Sequence, residues 1–225
     1  MDQINLDAID IDGAVREAAE EAAGDTRLSF LRKGAIGAGA ALSGGAILSA
    51  LVPTTALAAG RPPGSFGSGD IGILNYALTL EYLESSFYNE ATKQGRITDP
   101  QLVQLLRTVT KDENFHVNYL KKALGRHAVK KPRFDFQGIP RDQTKFAATT
   151  YVLENTGVHA YLGQAPNIQS GKVLLAAASI VTVEARHAGA IGLYLGKGIA
   201  PNGPLDNGFS AAEVLKAVKK TGFIK

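Results

Sequence analysis

The stretch Glu113-Asn114-Phe115-His116 is matched later in the chain by Glu184-Ala185-Arg186-His187. Each is a Glu-x-x-His pattern within a segment whose apolar residues recur at helical spacing. Residues three apart lie on one face of a helix, so each pair can present a carboxylate and an imidazole to the same metal ion. One such pair is weak evidence, but chance rarely produces two on separate helices. The doubled pattern therefore predicts a helical protein that holds metal.

Five helices are predicted around these patterns. They cover Ile71 to about Gln94, Pro100 to about Leu124, the stretch after Asp142 to about Gln164, the stretch after Pro166-Asn167 to Gly196 or Gly198, and the stretch after Ser210 to about Lys220. Asp99 is a suitable N-cap for the second helix, and Ser210 forms a capping box with Glu213 at the last. Strand signals are scarce. The predicted fold class is all-α.

Two short connections and one long one set the order of the helices. Turns near Gly95 and Pro166 join helices one to two and three to four, whereas Arg126 to Pro140 is too long and too aperiodic for a hairpin turn. Two helical hairpins joined by one long crossover form an antiparallel four-helix bundle of the ferritin-like kind. We expect this bundle over residues 71–198, followed by a C-terminal extension, residues 199–225, that contains the short helix.

Helices one and three each supply one carboxylate amid apolar residues, Glu81 and Glu154. A buried carboxylate is costly unless it is paired or bound to metal. The midpoint between Glu81 and Glu113 is Ile97, in the first predicted turn, and the second hairpin repeats this symmetry with Glu154 and Glu184. Residues equidistant from the turn of an antiparallel hairpin lie side by side, so the spacing predicts one central site. Its six predicted ligands are Glu81, Glu113, His116, Glu154, Glu184 and His187.

Glu84 competes with Glu81, from which it lies one turn along the same helix. Symmetry disfavours Glu84, because its counterpart in helix three is Gly157, whereas Glu81 corresponds to Glu154. We expect Glu84 to be either an alternative ligand or a carboxylate that lies just outside the ligand set.

Two tyrosines repeat between the halves of the bundle. Tyr88 lies seven residues after Glu81, and Tyr161 lies seven residues after Glu154. Seven residues make about two helical turns, so each tyrosine shares the ligand face. Their hydroxyl groups can hydrogen-bond across the bundle to the ligand carboxylates and orient them for catalysis. The alternative is that they are ordinary core tyrosines.

Three other polar residues are predicted to lie outside the site. His159 comes five residues after Glu154, off the ligand face, and His127 lies in a basic loop. Asp112 directly precedes Glu113 and points about 100° away from it. We expect a surface or helix-packing role for Asp112.

The motifs extend into three longer runs, Leu74 to Tyr88, Glu154 to Gly163 and Val183 to Ala188. These runs resemble exported ferritin-like domain proteins related to plant desiccation-related proteins, over about residues 70 to 197. The ferritin-like di-iron pattern is Glu, Glu-x-x-His, Glu, Glu-x-x-His, and every element of it has a match in this sequence. The resemblance implies the same six ligands and a di-iron centre.

The ligand set limits the chemistry. Four carboxylates and two histidines favour iron or manganese over structural zinc, and four negative charges balance two divalent ions. The leading prediction is an oxidoreductase with two iron ions that acts on O₂ or H₂O₂, in iron oxidation or in peroxide detoxification under stress. The alternatives are a manganese catalase-like enzyme with two manganese ions and a non-catalytic metal-binding or desiccation-protective bundle. No feature of the sequence predicts a substrate pocket beside the metals.

Residues 1–58 have the features of an acidic leader followed by an export signal. A basic segment precedes the Gly/Ala-rich run Gly34 to Leu51, and Ala56-Leu57-Ala58 is a small-x-small cleavage pattern. Thr26 to Arg32 resembles a twin-arginine motif in which Leu28 replaces the second arginine. We expect export to the periplasm or the outside of the cell. The alternative is a membrane anchor at residues 34–53.

Composition narrows the partners. The chain has no cysteine, so any metal ligand is a nitrogen or an oxygen. The 24 Lys and Arg residues only slightly exceed the 21 Asp and Glu residues, and no basic stripe is interleaved with aromatics, so no nucleic-acid partner is predicted. Residues 59–70 are rich in Gly, Pro and Ser and are predicted to be a linker. A homo-oligomer is an open alternative.

Overall fold

A computed structural model describes residues 60–200 and 203–225 of the chain. The predictions for the acidic leader, the export signal and the membrane anchor fall on residues outside the described part. The described part contains no β-strand, and its five α-helices are α1 (Gly69–Gln94), α2 (Pro100–Leu124), α3 (Gln143–Gln164), α4 (Gly171–Tyr194) and α5 (Ala211–Thr221). The all-α fold class predicted from the sequence is confirmed.

The first four helices form two hairpins within one bundle. α1 packs mainly against α2, and α3 packs mainly against α4, because a short connection makes successive helices antiparallel neighbours. Contacts of α1 with α3 and of α2 with α4 join the two hairpins. The predicted bundle, with a long crossover between its second and third helices and a short C-terminal helix, is confirmed.

Side-chain caps explain why α2 and α3 begin where the sequence predicts. The carboxylate of Asp99 accepts hydrogen bonds from the backbone N–H groups of Gln101 and Leu102, at 2.9 and 3.1 Å. Asp142 accepts one from the N–H of Lys145 at 3.0 Å. Each cap satisfies amide groups that the first turn of a helix leaves without an internal partner.

α4 ends at Tyr194, before the glycines that the sequence predicts as its end. The N–H of Lys197 donates to the carbonyl oxygen of Gly192 at 2.8 Å, and Gly196 adopts a left-handed φ of 69°. A left-handed residue of this kind turns the chain back over the last helical turn, so the helix closes earlier than the glycine positions suggest.

The crossover is held against α1 by one buried amide side chain. Asn75 Nδ2 donates to the carbonyl oxygens of Phe66 and His127, at 2.8 and 2.9 Å, and Asn75 Oδ1 accepts from the N–H of Val129 at 3.0 Å. This anchor lies less than two helical turns before Glu81 on the same helix, so the long connection helps to fix the part of α1 that carries the site.

The C-terminal extension packs against α3 through a close backbone approach. The N–H of Phe209 donates to the carbonyl oxygen of His159 at 3.0 Å. A Cβ atom added to Gly163 would lie 1.8 Å from the carbonyl oxygen of Phe209, so only glycine fits there. Val214 and Val218 bury the apolar face of α5. The extension thus covers the helix that carries Glu154.

Apolar residues seal the bundle on both sides of the level at which the Glu-x-x-His patterns lie. One cluster includes Phe87 and Phe146, whose rings stack with their centroids 5.5 Å apart. The other includes Leu78, Leu120 and Ile180. Along α2 and α4 the two Glu-x-x-His patterns lie between these clusters, so their charged groups are enclosed in the middle of the core.

α4 is the only helix of the described part that is long and apolar enough to cross a membrane by length and composition, with a mean hydropathy of 1.3. In the bundle this helix carries Glu184 and His187, both buried. Its buried face thus carries part of the candidate site, whereas Leu175 and Leu193 of the same helix are exposed.

Candidate metal centre

All six predicted ligands lie together in the middle of the bundle. α1 contributes one residue, α3 contributes one, and α2 and α4 contribute two each: Glu81, Glu154, Glu113 with His116, and Glu184 with His187. The four glutamates are at most 1% exposed, and both histidines are 4% exposed. Charged side chains are almost never buried to this extent without a compensating partner.

The ligand atoms form two overlapping groups of four residues. The first group consists of Glu81, Glu113, His116 and Glu184, and the second consists of Glu113, Glu154, Glu184 and His187. Within each group one ligand atom from every residue lies within 4.8 Å of the others. Glu113 and Glu184 belong to both groups, so these two carboxylates lie where they can bridge two ions.

The two imidazole rings direct their Nδ1 atoms at the carboxylates. Nδ1 of His116 lies 3.0 Å from Glu113, 3.2 Å from Glu184 and 3.3 Å from Glu81. Nδ1 of His187 lies 3.2 Å from both Glu113 and Glu154. A single ring N–H cannot satisfy two or three oxygens at once, so each set of atoms converges in the way that ligands converge on a cation.

Several carboxylate oxygens accept no hydrogen bond within the described part of the chain. They are Oε2 of Glu81, Oε1 of Glu113 and both oxygens of Glu184. A buried oxygen without a hydrogen-bond partner lowers the free energy of unfolding by roughly several kcal/mol. Oxygen and imidazole donors bind divalent metal ions, so the residues present are compatible with a di-metal site.

Burial and crowding shift the acidity of the glutamates. Burial raises the pKa of Glu113 to about 8, and the charge of Glu81 adds to this effect. Burial, with the repulsion of neighbouring carboxylates, also raises the pKa values of Glu184 and Glu84 well above the usual range. Burial acts in the same direction on Glu81, but the adjacent ring of His116 outweighs it and lowers the pKa. The glutamates therefore repel one another, and the two histidine rings are too few to neutralise all of them.

The pKa values of the two histidines shift in the direction opposite to the one that burial alone produces. Burial lowers the pKa of His187, but the adjacent carboxylates of Glu113 and Glu154 outweigh this effect and raise the pKa to about 11. The same balance raises the pKa of His116. Both rings therefore lie in a strongly negative environment, which is one that attracts cations.

Two tyrosine hydroxyls reach the site across the bundle. Tyr88 of α1 donates a hydrogen bond to Glu154 of α3, and Tyr161 of α3 donates one to Glu81 of α1 at 2.5 Å. Burial and the adjacent carboxylates raise the pKa values of both tyrosines well above 10, so the hydroxyl groups keep their protons. Each hydroxyl group therefore orients a glutamate that belongs to only one of the two ligand groups.

Glu84 lies beside the site but in neither ligand group. Its side chain is buried and faces the position of Gly157, where an added Cβ atom would lie 3.4 Å from Oε1 of Glu84 and 3.0 Å from Oε2 of Glu184. The absence of a side chain at Gly157 leaves room for two carboxylates at this point. The arrangement places Glu84 next to the shared ligand Glu184.

The sequence of the bundle was compared with known protein families. The family model for the ferritin-like domain matches residues 69–197, more than half of the chain. The chain belongs to the ferritin-like domain family. No curated protein matches its sequence. The ferritin-like resemblance inferred from the motifs is confirmed, and the buried glutamates and histidines are compatible with a di-metal site.

Asp112 contacts the site of this ferritin-like domain, a contact that the sequence did not predict. Its Oδ2 atom lies 3.2 Å from Nε2 of His187, on the side of the ring opposite the ligand carboxylates. Asp112 does point away from the bundle axis, but on α2 that direction faces the neighbouring α4. The signal in the sequence was its position directly before Glu113, together with the prediction that the ligand-bearing helices pack side by side.

Two open grooves lie between α2 and α4, and each reaches one histidine. The groove at His187 has a volume of about 570 Å³ and carries Arg186 on its wall. The groove at His116 has a volume of about 400 Å³ and includes Asp112. The sequence predicted no such space. Small molecules in these grooves would meet the edge of the site.

The remaining histidines are placed apart from the site. His159 is half-buried, stacks on Phe209 and has its Nδ1 atom 2.5 Å from the carbonyl oxygen of Asn207. His127 is exposed in the crossover, as expected from its position in the basic loop.

Proposed function

We propose that this ferritin-like bundle holds two iron ions and acts as an oxidoreductase on O₂ or H₂O₂, in iron oxidation or in peroxide detoxification under stress. The observation that carries the proposal is the pair of overlapping ligand groups that share Glu113 and Glu184. Two groups that share two carboxylates suit two ions held close together. Paired ions of this kind serve reactions that need two electrons.

The chain supplies three kinds of contact for this chemistry. Glu81 with His116, and Glu154 with His187, would each hold one ion, and the two shared glutamates would hold both. When bound, two iron ions would supply the two electrons needed to reduce O₂ to H₂O₂ or H₂O₂ to water. Tyr88 and Tyr161 keep the unshared glutamates in place through their hydrogen bonds.

The shape of the site favours small oxidants over large substrates. Both histidines are 4% exposed and line the two grooves between α2 and α4, so the grooves lead to the edge of the ligand set. Buried apolar residues enclose the site from above and below along the bundle. Such burial of the ligand side chains suits small reactants such as O₂ or H₂O₂.

The test begins with metal content and continues with reactivity. The purified full chain, supplied with iron and manganese together, should contain two metal ions per chain, mainly iron. Adding O₂ or H₂O₂ to the anaerobic ferrous protein should then change its near-ultraviolet absorption and consume the oxidant. Glu113→Ala should lose both ions, because Glu113 belongs to both ligand groups. Glu90→Ala is the matched control, since Glu90 lies outside both groups on α1.

Each outcome of this test bears on a different part of the proposal. Unchanged metal content in Glu113→Ala would contradict the ligand assignment. A protein that binds two irons, but whose spectrum neither oxidant changes, would rule out catalysis and leave a metal-binding bundle. Two bound manganese ions with rapid H₂O₂ disproportionation would replace iron chemistry with a catalase-like reaction.

We also propose that the chain is exported from the cytoplasm. The support is the order of features in residues 1–58, a basic segment followed by an apolar run and a small-x-small pattern. Fractionation of cells that express the full chain should recover it outside the cytoplasm, shortened near Ala58. Recovery of the uncleaved chain in the soluble cytoplasm would contradict export, and recovery in the membrane would indicate the anchor.

A further inference from the structure

The two ligand groups are nearly equivalent. Each contains one histidine, one unshared glutamate held by a tyrosine hydroxyl, and the same two shared glutamates. Both histidines are 4% exposed, so burial does not distinguish them. Residues around the ligands can therefore decide how strongly each group holds an ion.

The residue before each shared glutamate differs between the two helices. On α2 it is Asp112, whose Oδ2 atom lies 3.2 Å from Nε2 of His187. On α4 the equivalent residue is Val183, a half-buried apolar side chain that lines the groove at His116. Within the described part of the chain, the contacts of His116 are made by its Nδ1 atom, and Nε2 has no hydrogen-bond partner.

Asp112 affects His187 in two ways. A carboxylate beside Nε2 keeps the ring proton on that nitrogen, so the lone pair of Nδ1 is free for an ion. The negative charge also makes the ring a stronger donor and fixes its orientation. His116 lacks this direct contact, because Val183 can neither accept a hydrogen bond nor carry charge, and Asp112 lines the groove at His116 without a hydrogen bond to its ring.

We propose that the two metal positions are inequivalent: the position built on His187 binds a divalent ion first and more tightly than the position built on His116, and Asp112 is the positioning residue responsible. This inference rests on the proposed di-metal site. Carboxylates that orient a ligand histidine typically change metal affinity by about 10–100-fold, which is the difference expected here.

Glu84 also breaks the symmetry of the site, but it does so near its centre. Its carboxylate lies beside the space at Gly157, next to Glu184. Glu184 belongs to both ligand groups, so the charge of Glu84 acts on both positions. The contact between Asp112 and His187, by contrast, belongs to one group alone.

Single-histidine variants of the full chain separate the two positions. His116→Ala retains the position built on His187, and His187→Ala retains the one built on His116. Titration with Mn²⁺, followed by calorimetry and by electron paramagnetic resonance, should show that His116→Ala binds one ion about 10–100-fold more tightly than His187→Ala. Repulsion between two ions also separates successive binding steps in the wild-type chain, and the single-position comparison is free of it.

The role of Asp112 is then tested in both backgrounds. Asp112→Ala should weaken Mn²⁺ binding about 10–100-fold in the His116→Ala chain and have a clearly smaller effect in the His187→Ala chain. Asp112→Asn, which keeps an acceptor oxygen without the charge, should give a smaller loss. The reciprocal change Val183→Asp should tighten binding in the His187→Ala chain.

The outcomes distinguish this inference from the function on which it rests. Equal affinities in the two single-histidine variants, or an equal loss in both on Asp112→Ala, would overturn the inference and leave the di-metal site standing. A wild-type chain that binds no Mn²⁺ and no iron would contradict the site itself. If a histidine variant does not fold, Asp112→Asn in the otherwise unchanged chain should alter the resonance spectrum at one equivalent of Mn²⁺; an unaltered spectrum would overturn the inference.

Discussion

At the scale of single residues, the hydroxyl groups of two tyrosines connect the hairpins at the candidate metal centre. Tyr88 of the first hairpin contacts Glu154 of the second, and Tyr161 of the second contacts Glu81 of the first. A carboxylate held by such a contact needs less reorganisation to meet an ion. These hydroxyls should therefore contribute to metal binding more than to packing.

Tyr161→Phe removes the hydrogen bond to Glu81 and should weaken the binding of iron or manganese by about 10–100-fold, as other contacts that orient ligands do. Tyr76→Phe is the matched control, because the hydroxyl of Tyr76 is buried on α1 and has no hydrogen-bond partner within the described part. Its removal should leave metal affinity unchanged. Equal affinities of the two variants in a metal titration would contradict the orienting role of Tyr161.

Gly157→Ala places a methyl group between two carboxylates of the site. The added Cβ atom would lie 3.0 Å from Oε2 of Glu184 and 3.4 Å from Oε1 of Glu84, so one of these side chains must move. Metal content should fall while the helical circular dichroism spectrum stays the same. Gly171→Ala, on α4 with open space around its Cβ position, should retain both metals. Full metal content in Gly157→Ala would show that the space has no role in binding.

The residues that the sequence could predict are those fixed by spacing along one helix. Glu113 and His116 share a face of α2 whatever surrounds that helix, and Tyr88 follows from Glu81 by the same argument. The contact of Asp112 with His187 depends on how α2 and α4 pack together. No spacing within a single helix contains that information, so the sequence marks Asp112 only by its position before Glu113, and the structure supplies the contact.

At the scale of elements, the C-terminal extension rests on α3 at a point where two backbones nearly touch. Gly163 and Phe209 approach so closely that no Cβ atom fits between them. The buried valines of α5 lie in the same extension. The extension therefore supports the helix that carries Glu154 and Tyr161.

Gly163→Ala should displace the extension from α3. The added Cβ atom would lie 1.8 Å from the carbonyl oxygen of Phe209, so the backbone must shift. We expect a loss of about 1–3 kcal/mol in the free energy of unfolding, the range typical of overpacked sites. Denaturant titration measures this loss, and limited proteolysis should show earlier cleavage after α4. An unchanged midpoint and cleavage pattern would mean that the extension contributes nothing to stability.

The starts of α2 and α3 were predictable from neighbouring residues in the sequence. Contacts between different helices were not. Asp99 and Asp142 cap the helices that follow them, and a cap needs only residues two or three positions away. The grooves between α2 and α4 are lined by side chains of two different helices, so no local pattern indicates them. The same limit applies to the contact between Gly163 and Phe209.

At the scale of the whole molecule, the buried charges make the metal-free chain sensitive to pH. The pKa of Glu113 is about 8 in the fold and roughly 4.3 in an unfolded chain, and that of His187 is about 11 against roughly 6.5. Both folded values are raised, so the folded chain binds more protons. The stability that these groups contribute is present at low pH and is lost as pH rises through the folded values.

The melting temperature of metal-free protein should therefore fall between about pH 6 and pH 9. Metal-loaded protein should be more stable across this range, because ions in place of protons neutralise the carboxylates, and loading should release protons into the solution. Thermal melts with and without chelator, and a pH indicator during loading, measure both effects. A metal-free melting temperature that rises from pH 6 to pH 9 would contradict the direction of these pKa shifts.

The shared glutamates also have a consequence for how the two halves of the bundle stay together. Each ligand group takes three residues from one hairpin and one from the other, so neither hairpin alone contains a complete set. Bound ions would therefore act as cross-links between the halves. On removal of the metal, amide hydrogen exchange should increase first along the seam between the hairpins, while the turns within each hairpin remain protected.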